Sequence, residues 1–355
     1  MHDVGSACVT LRKLPEYRDM SKFLRLAVVV LMWVGLCRGQ DDPEVTRTAE
    51  PGWVQVEERL PILGEVTDRT PDMEYLIYER QTDVEAEQTY TRLVVWVARE
   101  GGLQNAGEWS VTFDPTYQSV AVHRIKIRRN GETMDRLQTA EFRYLEQEED
   151  ADWHIYDGDV TAMTLLEDVR IGDVVEFTYT ITGRNPVFRG TFFSGYSLGW
   201  GTPVRSMRVA VSADPTRPIS RAAFGPEIAG PVESIEADRV TWTWQQADVP
   251  AIPYEEATPN WYSERPWVQM SEYGGWSEVV DWALPLYAAG DDAPGESLQA
   301  EIKDLPIAIG AEGEHERLAQ LLAYVQREIR YLGIELGESS HQPHDPIETY
   351  TRRFG

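Results

Sequence analysis

The chain has 355 residues, of which 33 are Lys or Arg and 59 are Asp or Glu, so its formal net charge at pH 7 is −26. This acidity disfavours a general nucleic-acid binder and a polybasic membrane-surface protein, because both classes need a basic surface. The content of 42% hydrophobic residues is typical of a globular protein. At about 100–200 residues per domain, the length predicts about two domains.

The N-terminal segment has the pattern of a secretory signal peptide. Lys22 and Arg25 precede an apolar run over residues 26–36, and a small-x-small exit ends at Gly39. The run is shorter than the ~20 residues that a membrane-spanning helix needs. We therefore predict a leader over residues 1–39, with Met20 as an alternative start, and an exported, periplasmic protein without a spanning helix after cleavage. Two alternatives stay open: an uncleaved leader that anchors the protein in the membrane, and a lipid anchor at Cys37.

Both cysteines of the sequence, Cys8 and Cys37, lie in this leader. A mature chain that begins near residue 40 contains no thiol. Disulfides, Cys-based metal sites and a cysteine nucleophile are then excluded from residues 40–355.

The middle of the chain reads as an acidic linker followed by strands. Residues 40–72 are acidic, contain proline and lack sustained periodicity, which predicts a linker. From residue 73 to 270 we predict a β-sandwich domain. Residues 174–182 give the clearest strand, because apolar side chains alternate with Glu and Thr, a pattern typical of one buried and one solvent-facing side. Residues 120–129 end in Asn130-Gly131, which favours a type I′ hairpin turn. Short strands with such turns predict a mainly β chain with an antiparallel β-sandwich.

The last part of the chain, residues 271–355, is predicted to be helical. Ser277 is expected to cap a helix that runs to Leu284, and residues 313–330 give the strongest helical pattern. The apolar side chains of this second helix form one stripe, which suits docking on the core of a second domain. The stripe consists of Leu318, Leu321, Leu322, Val325 and Ile329.

Several polar side chains could carry chemistry, but the sequence specifies none of them well enough for an assignment. His341 and His344 lack a third zinc ligand at a suitable spacing. Residues 146–152 (E-Q-E-E-D-A-D) lack the spaced acids and the glycine of a calcium-binding loop. We expect His123 and His154 to be packed or hydrogen-bonded residues without a catalytic role. The sequence therefore predicts no catalytic, cofactor-binding or metal-binding residue, and no cofactor.

Aromatic residues are abundant, with 12 Trp and 16 Tyr. Trp261, Tyr262 and Trp267 crowd one segment and could form an exposed strip that stacks on sugars. Filling of the sandwich core explains most of the other rings.

Short sequence words in the chain resemble two neighbouring regions of one bacterial family. Residues 331–335 (Y-L-G-I-E), 342–344 (Q-P-H) and 352–355 (R-R-F-G) resemble the opening of a transglutaminase-like domain. The upstream region is similar to the domain of unknown function that precedes such cores in exported proteins. Its matching words are I-R-R-N-G (127–131), V-R-I-G-D-V-V-E-F-T-Y (169–179) and N-P-V-F-R-G-T-F-F (185–193).

The resemblance implies a β-sandwich followed by an incomplete α+β segment of the papain/transglutaminase-like type. In that family a Cys nucleophile, a His and an Asp transfer or hydrolyse amide and acyl groups. The sequence ends at Gly355, and the family's Cys would be the second residue beyond it, with the His and the Asp further on. No catalytic residue of the family maps onto this sequence, so we predict that the chain as written is not an enzyme.

Three functions follow from these observations. The first is a non-catalytic exported envelope protein, or fragment, that resembles the N-terminal part of a transglutaminase-like cysteine enzyme. The alternative is an aromatic-rich β-sandwich binding module for a cell-wall glycan or a protein partner. A carboxylate-based hydrolase is the third, although its two acids cannot be chosen from sequence among 59 candidates.

Overall fold

The computed structural model describes residues 45–67, 70–146, 155–156, 158–236, 238–253, 255, 257–259, 262–287, 313–335 and 337–355, all within one compact unit, Glu44–Gly355. The predicted leader, with Met20 and both cysteines, lies outside the described residues. So do His154, Trp261 and the acidic cluster beyond Glu146. The chain is mainly β, with a large mixed sheet and smaller sheets beside it, which confirms the predicted fold class.

The described strands and helices follow one another in a long β-rich part and a short helical part. The strands are β1 (Thr46–Arg47), β2 (Met73–Asp83), β3 (Gln88–Val97), β4 (Glu108–Phe113), β5 (Ser119–Arg129), β6 (Glu132–Asp135), β7 (Arg143–Glu146), β8 (Ile155–Tyr156), β9 (Val160–Leu165), β10 (Val174–Thr182), β11 (Phe193–Ser197), β12 (Val204–Ala213), β13 (Ser220–Phe224), β14 (Val232–Glu236), β15 (Arg239–Val249), β16 (Trp267–Ser271) and β17 (Gly333–Ile334). The helices are α1 (Leu103–Gly107), α2 (Trp276–Tyr287), α3 (Glu314–Glu328) and α4 (Pro346–Arg352), with 3-10 turns at Glu100–Gly102, Pro186–Phe188 and Gly337–Ser340.

The large sheet has nine strands in the order β1-β5-β10-β3-β2-β12-β15-β14, with β6 paired to β5. Adjacent strands of this sheet run antiparallel, as predicted, with two exceptions. Strand β1 pairs with β5, and β12 pairs with β2, in parallel. Alternation could not reveal these two pairs, because side chains alternate in parallel and antiparallel strands alike. Two three-stranded sheets, β4-β9-β7 and β11-β16-β13, complete the β-rich part together with the short pair β17-β8.

One face of the large sheet is apolar and carries the core. Its β5-β10-β3 region packs with residues of β4 and β9 around Trp109, Phe113 and Phe177. Its β12-β15 region packs with residues of β11 and β16 around Trp242 and Met270. The alternating apolar residues of β12 and β15 are all buried, as the sequence predicts: Met207, Val209, Val211, Val240, Trp242 and Trp244.

The opposite face of the large sheet is polar around β10 and carries a small apolar cluster beside it, yet this region is also buried. Strand β10 has the predicted bounds, but its predicted solvent-facing residues Glu176, Thr178 and Thr180 are at most 1% exposed. The prediction of one wetted face is wrong because residues 48–60, which we call the strap, cross this face. Tyr90 Oη donates to Glu50 of the strap at 2.9 Å.

The strap belongs to the predicted acidic linker, residues 40–72. Gln81 on β2 both donates to the carbonyl oxygen of Gln55 and accepts from its N–H. Arg92 on β3 donates to the carbonyl oxygen of Glu57 at 2.6 Å. This part of the segment therefore packs on the sheet along its length.

The turn at Asn130-Gly131 joins β5 to β6 as the sequence predicts. Both residues have positive φ, 51° and 83°. Two successive left-handed residues define the type I′ turn, so the Asn-Gly pair sets this hairpin register.

The helices differ from their predictions in detail. Helix α2 begins at Trp276 rather than after a Ser277 cap, because the carbonyl oxygen of Gly275 accepts from the N–H groups of Glu278 and Val279. Pro285 lies inside its last turn. Helix α3 matches the predicted segment to within a few residues, and none of its residues is buried. Among the described residues, we find no helix with the length and apolarity that crossing a bilayer requires.

Candidate functional site

Of the predicted aromatic strip, Tyr262 and Trp267 are among the described residues and Trp261 is not. Trp267 lies on β16 and stacks on Phe224 with ring centroids 4.4 Å apart, whereas Tyr262 is 52% exposed. A different set of rings gathers around a cavity of about 480 Å³, which we call the aromatic cavity. Its rings are Phe188, Phe193, Tyr273, Trp276, Trp282 and His341.

Three separate parts of the chain supply these rings. Phe188 ends the 3-10 turn Pro186–Phe188, and Phe193 is the first residue of β11. Trp276 and Trp282 both lie on α2, and both line the cavity. His341 follows the 3-10 turn Gly337–Ser340. The sequence gives no single signal for the cavity, because its rings are far apart along the chain.

Phe188 is at the centre of the ring contacts. It stacks on Trp282 with centroids 5.1 Å apart and meets Phe193 edge to face at 4.6 Å. His341 meets Phe188 and Trp282 edge to face at 4.9 and 5.6 Å. Trp282 Nε1 donates to the carbonyl oxygen of Val187 at 3.1 Å, which fixes the indole orientation. Trp276, by contrast, is 84% exposed at the cavity mouth.

Hydrogen bonds from Asn185 hold the His341 segment against the β-rich part. Asn185 Oδ1 accepts from the N–H of Val187 and thereby caps the turn that carries Phe188. Asn185 Nδ2 donates to the carbonyl oxygen of Gly337 at 2.7 Å and to Ser340 Oγ at 2.8 Å. Ser340 Oγ lies 2.7 Å from His341 Nδ1. The Ser340 hydroxyl is therefore occupied in positioning the segment.

The other sequence candidates take structural positions. His123 is 8% exposed, and its Nε2 lies 2.8 Å from Thr180 Oγ1. Burial lowers the pKa of His123, which favours a neutral ring. His344 faces Glu348 on α4 at 3.5 Å and not His341. Within the described ranges, no group of three or more His, Cys, Asp or Glu side chains is close enough to hold a metal ion.

Buried ion pairs connect two of the sequence motifs on which the family resemblance rests. Arg129 binds the buried Asp173 through two hydrogen bonds of 2.7 Å, and Arg128 binds the buried Glu176 at 2.5 Å. The motifs at residues 127–131 and 169–179 therefore contribute to the adjacent strands β5 and β10, and ion pairs link them. At the C-terminus, Arg330 and Phe354 form a parallel bridge, so the R-R-F-G word lies beside the chain entering Y-L-G-I-E.

The comparison with known protein families gives a match, and it lies in the β-rich part. Residues 85–253 match the family model described as a domain of unknown function with solved structure, DUF3857. A comparison with the curated proteins finds no match.

Among solved structures, the chain is similar to a crystal structure described as a "putative protease" from Parabacteroides distasonis. The TM-score is 0.60 at 14% identity, with 80% of this chain and 56% of that chain covered. This chain therefore spans little more than half of that protein's length, and the likeness concerns the fold alone. Legionella pneumophila aminopeptidase A matches with a TM-score of 0.29 at 9% identity, over 57% of this chain and 22% of that chain, which carries no argument.

Proposed function

We propose that residues 45–355 form the non-catalytic recognition part of an exported, hydrolase-like protein, and that the aromatic cavity binds an apolar side chain of a peptide segment. The observation that carries the proposal is the convergence of rings from Phe188, α2 and His341 on one open cavity. Concave sites lined by aromatic side chains with a few polar groups are the usual form of a ligand site.

The absence of a thiol supports a role in recognition rather than covalent chemistry. Residues 40–355 contain no cysteine. Acyl transfer of the transglutaminase-like type needs a thiolate activated by an imidazole. The only hydroxyl placed against His341 Nδ1 is that of Ser340 among the described residues, and Asn185 also binds it. The relation to the transglutaminase-like family is part of this proposal.

A peptide ligand fits the surroundings of the cavity better than a glycan does. Ser220 and Ala222 of β13 line the cavity, and β13 is an edge strand of its sheet. An edge strand offers backbone N–H and C=O groups to which an extended peptide can add as a further strand. The exposed face of Trp276 is the feature that favours the alternative ligand, a cell-wall glycan, because sugars stack on such rings.

The test compares Trp276→Ala with Tyr262→Ala in the full chain. Both side chains are more than half exposed, so neither change should unfold the protein. The probes are the capped peptide acetyl-Ala-Phe-Ala-Ala-amide, its Ser-for-Phe version and chitotetraose, measured by calorimetry. We expect the Phe peptide to bind most tightly and Trp276→Ala to weaken it about tenfold, a loss of about 1.4 kcal/mol, while Tyr262→Ala leaves it unchanged. Equal binding of the Phe and Ser peptides would contradict the proposal, and tighter binding of chitotetraose would replace it with the glycan function.

Export is a separate element of the proposal and has its own test. The pattern over residues 1–39 supports it. Expression of the full chain in a Gram-negative host, followed by fractionation and N-terminal sequencing, should give periplasmic protein that begins near residue 40. Recovery of the uncleaved chain from the cytoplasm would contradict export, and recovery from the membrane would support the anchored alternative.

A further inference from the structure

A second cavity, of about 280 Å³, adjoins the aromatic cavity and shares Phe188 and Phe193 with it. Its floor is the apolar face of the large sheet, to which β2 contributes Arg80 and Thr82. The residues at its edges come from the turn before β5, the segment that follows β10, and β11. We call it the arginine cavity, because Arg80 and Arg184 both line it.

The two arginines lack the partners that other arginines of this protein have. Arg92, Arg124, Arg128, Arg129, Arg208 and Arg239 each form an ion pair with a carboxylate. Neither Arg80 nor Arg184 does so within the described part of the chain. Arg80 Nε and Arg184 Nη1 are buried there without a hydrogen-bond partner.

Aromatic rings hold both guanidinium groups in place. Arg80 lies 5.4 Å from the ring centroid of Tyr196, and Arg184 lies 4.6 Å from that of Phe192. Burial lowers the pKa of Arg184, so the charged form is less favourable here than in water. The chain has 59 acidic residues, yet no described carboxylate forms an ion pair with either group. A half-buried charge with a buried, unpartnered nitrogen is less stable than in water, which points to a ligand that completes it.

We propose that Arg80 and Arg184 bind a carboxylate group of the ligand that enters the aromatic cavity. One acid, Glu87, also lines the arginine cavity, so two positive charges and one negative charge face it. This net charge suits a singly charged carboxylate better than a doubly charged phosphate. Arginine forks also match the planar carboxylate geometry. That the carboxylate belongs to a peptide rests on the proposed function, whereas the anion site does not.

The test compares one peptide in two forms, acetyl-Ala-Phe-Ala-Ala with a free C-terminal carboxylate and the same peptide as the amide. We expect the free acid to bind about tenfold more tightly, as a charge-assisted pair implies. Arg80→Gln and Arg184→Gln should abolish the difference. Arg170→Gln is the matched control. It also removes one positive charge, but the Arg170 side chain is 63% exposed and lies outside the cavity. A loss of the same size in Arg170→Gln, or equal binding of acid and amide, would overturn the proposal.

Two further arms identify the anion. An amidated peptide with Glu in place of the last Ala tests whether an acidic side chain is the source of the carboxylate. Its gain over the plain amide would support the same site. Stronger competition by inorganic phosphate than by acetate would overturn the choice of a carboxylate.

Acetate alone makes the anion site testable without any peptide. Acetate should raise the Tm of the wild type above that in chloride at equal ionic strength, and not that of Arg184→Gln, because a ligand that binds only the folded state stabilises it. Failure of Trp276→Ala to weaken peptide binding would sink the aromatic proposal but leave this one intact. The absence of both the acetate effect and the acid–amide difference would overturn the anion site.

If Arg184 binds the anion, we predict that it lowers the stability of the unliganded protein while it contributes to ligand binding. Arg184→Met should raise the Tm of the unliganded protein by about 2–4 °C, because it removes an unpaired, half-buried charge and keeps an apolar stem on Phe192. It should also abolish the acetate effect. A fall in Tm of that size would assign Arg184 a packing role and overturn the proposal.

Discussion

Glu176 and Glu79 lie against the same buried arginine, Arg92, but their environments shift their pKa values in opposite directions. Burial by itself raises the pKa of both. At Glu176 the charges and hydrogen bonds of Arg92 and Arg128, at 2.8 and 2.5 Å, outweigh burial and lower the pKa below 4.5. At Glu79 burial outweighs Arg208, and the pKa is raised. The ionised Glu176 therefore stabilises the folded state above pH 4.5, and this contribution is lost as the pH falls through its lowered pKa.

We predict that Glu176→Gln lowers the free energy of unfolding by about 3 kcal/mol at pH 7, because it leaves Arg92 and Arg128 without their buried counter-charge. It should also flatten the loss of stability below pH 4.5. Glu79→Gln is the control, with a smaller loss at pH 7 and a steeper loss in acid, because the wild type gains stability when Glu79 is protonated. Urea unfolding between pH 3 and pH 7 measures both, and the same pH profile for the two variants would contradict the assignment.

At the scale of elements, the segment after β10 connects the sheet to both cavities. Gly183 begins it, with φ +108° and with a virtual Cβ only 2.0 Å from the carbonyl oxygen of Tyr117. Arg184, Asn185 and Phe188 follow at once. A glycine at this position is therefore needed both for its conformation and for the close approach of two backbones.

We predict that Gly183→Ala destabilises the protein by about 2–3 kcal/mol and weakens peptide binding, since the segment must shift. Gly131→Ala is the matched control: its φ is also positive, at +83°, but nothing lies within 4 Å of the added carbon. Thermal unfolding should show a loss of about 1 kcal/mol for Gly131→Ala. Equal losses for the two variants would contradict the role of the close approach.

Helix α3 shows how an element can match its sequence pattern without the expected packing. The apolar stripe is present, but Leu318, Leu322 and Val325 are 65%, 55% and 47% exposed. Amphipathicity selects the helix and its face, whereas burial of that face needs a second surface. The predicted docking of the stripe on a domain core is therefore not seen among the described residues.

At the scale of the whole molecule, Asn185 joins the segment of residues 337–341 to the β-rich part, beside the β17-β8 pair and the bond from Trp282 to Val187. One side chain caps the turn of Phe188 with its oxygen and binds Gly337 and Ser340 with its nitrogen. A second contact is made by Asp114, whose Oδ2 accepts from the N–H of Gly337 at 3.2 Å. These contacts hold the segment that places His341, one ring of the aromatic cavity, beside Phe188.

We predict that Asn185→Asp releases residues 337–341 while the turn stays capped. Aspartate keeps the oxygen that accepts from Val187, but it places a second acceptor against the carbonyl oxygen of Gly337. Hydrogen exchange of residues 337–341 should accelerate at least about tenfold, equivalent to about 1.4 kcal/mol, and peptide binding should fall. Asp345→Asn, which keeps the cap of α4 in the same segment, should change neither. Unaltered exchange in Asn185→Asp would contradict this role.

The strands and turns could be read from sequence because their signals are local. Alternation placed β10 at residues 174–182, and Asn130-Gly131 placed the hairpin, since period-two patterning and positive φ depend on neighbouring residues. The motifs at residues 127–131, 169–179 and 185–193 likewise lie within residues 85–253, which the DUF3857 family model matches. Composition alone disfavoured a general nucleic-acid binder and a polybasic membrane-surface protein, because net charge is a sum over the whole chain.

Burial and the cavities needed the folded chain. The polar side of β10 is enclosed because Glu50 and the rest of the strap, distant in sequence, bring complementary charges onto it. Phe188, Trp282 and His341 form one site because three separate segments converge. Long-range contacts of this kind leave no periodic trace in the sequence, so only the packed arrangement of sheets and helices specifies them.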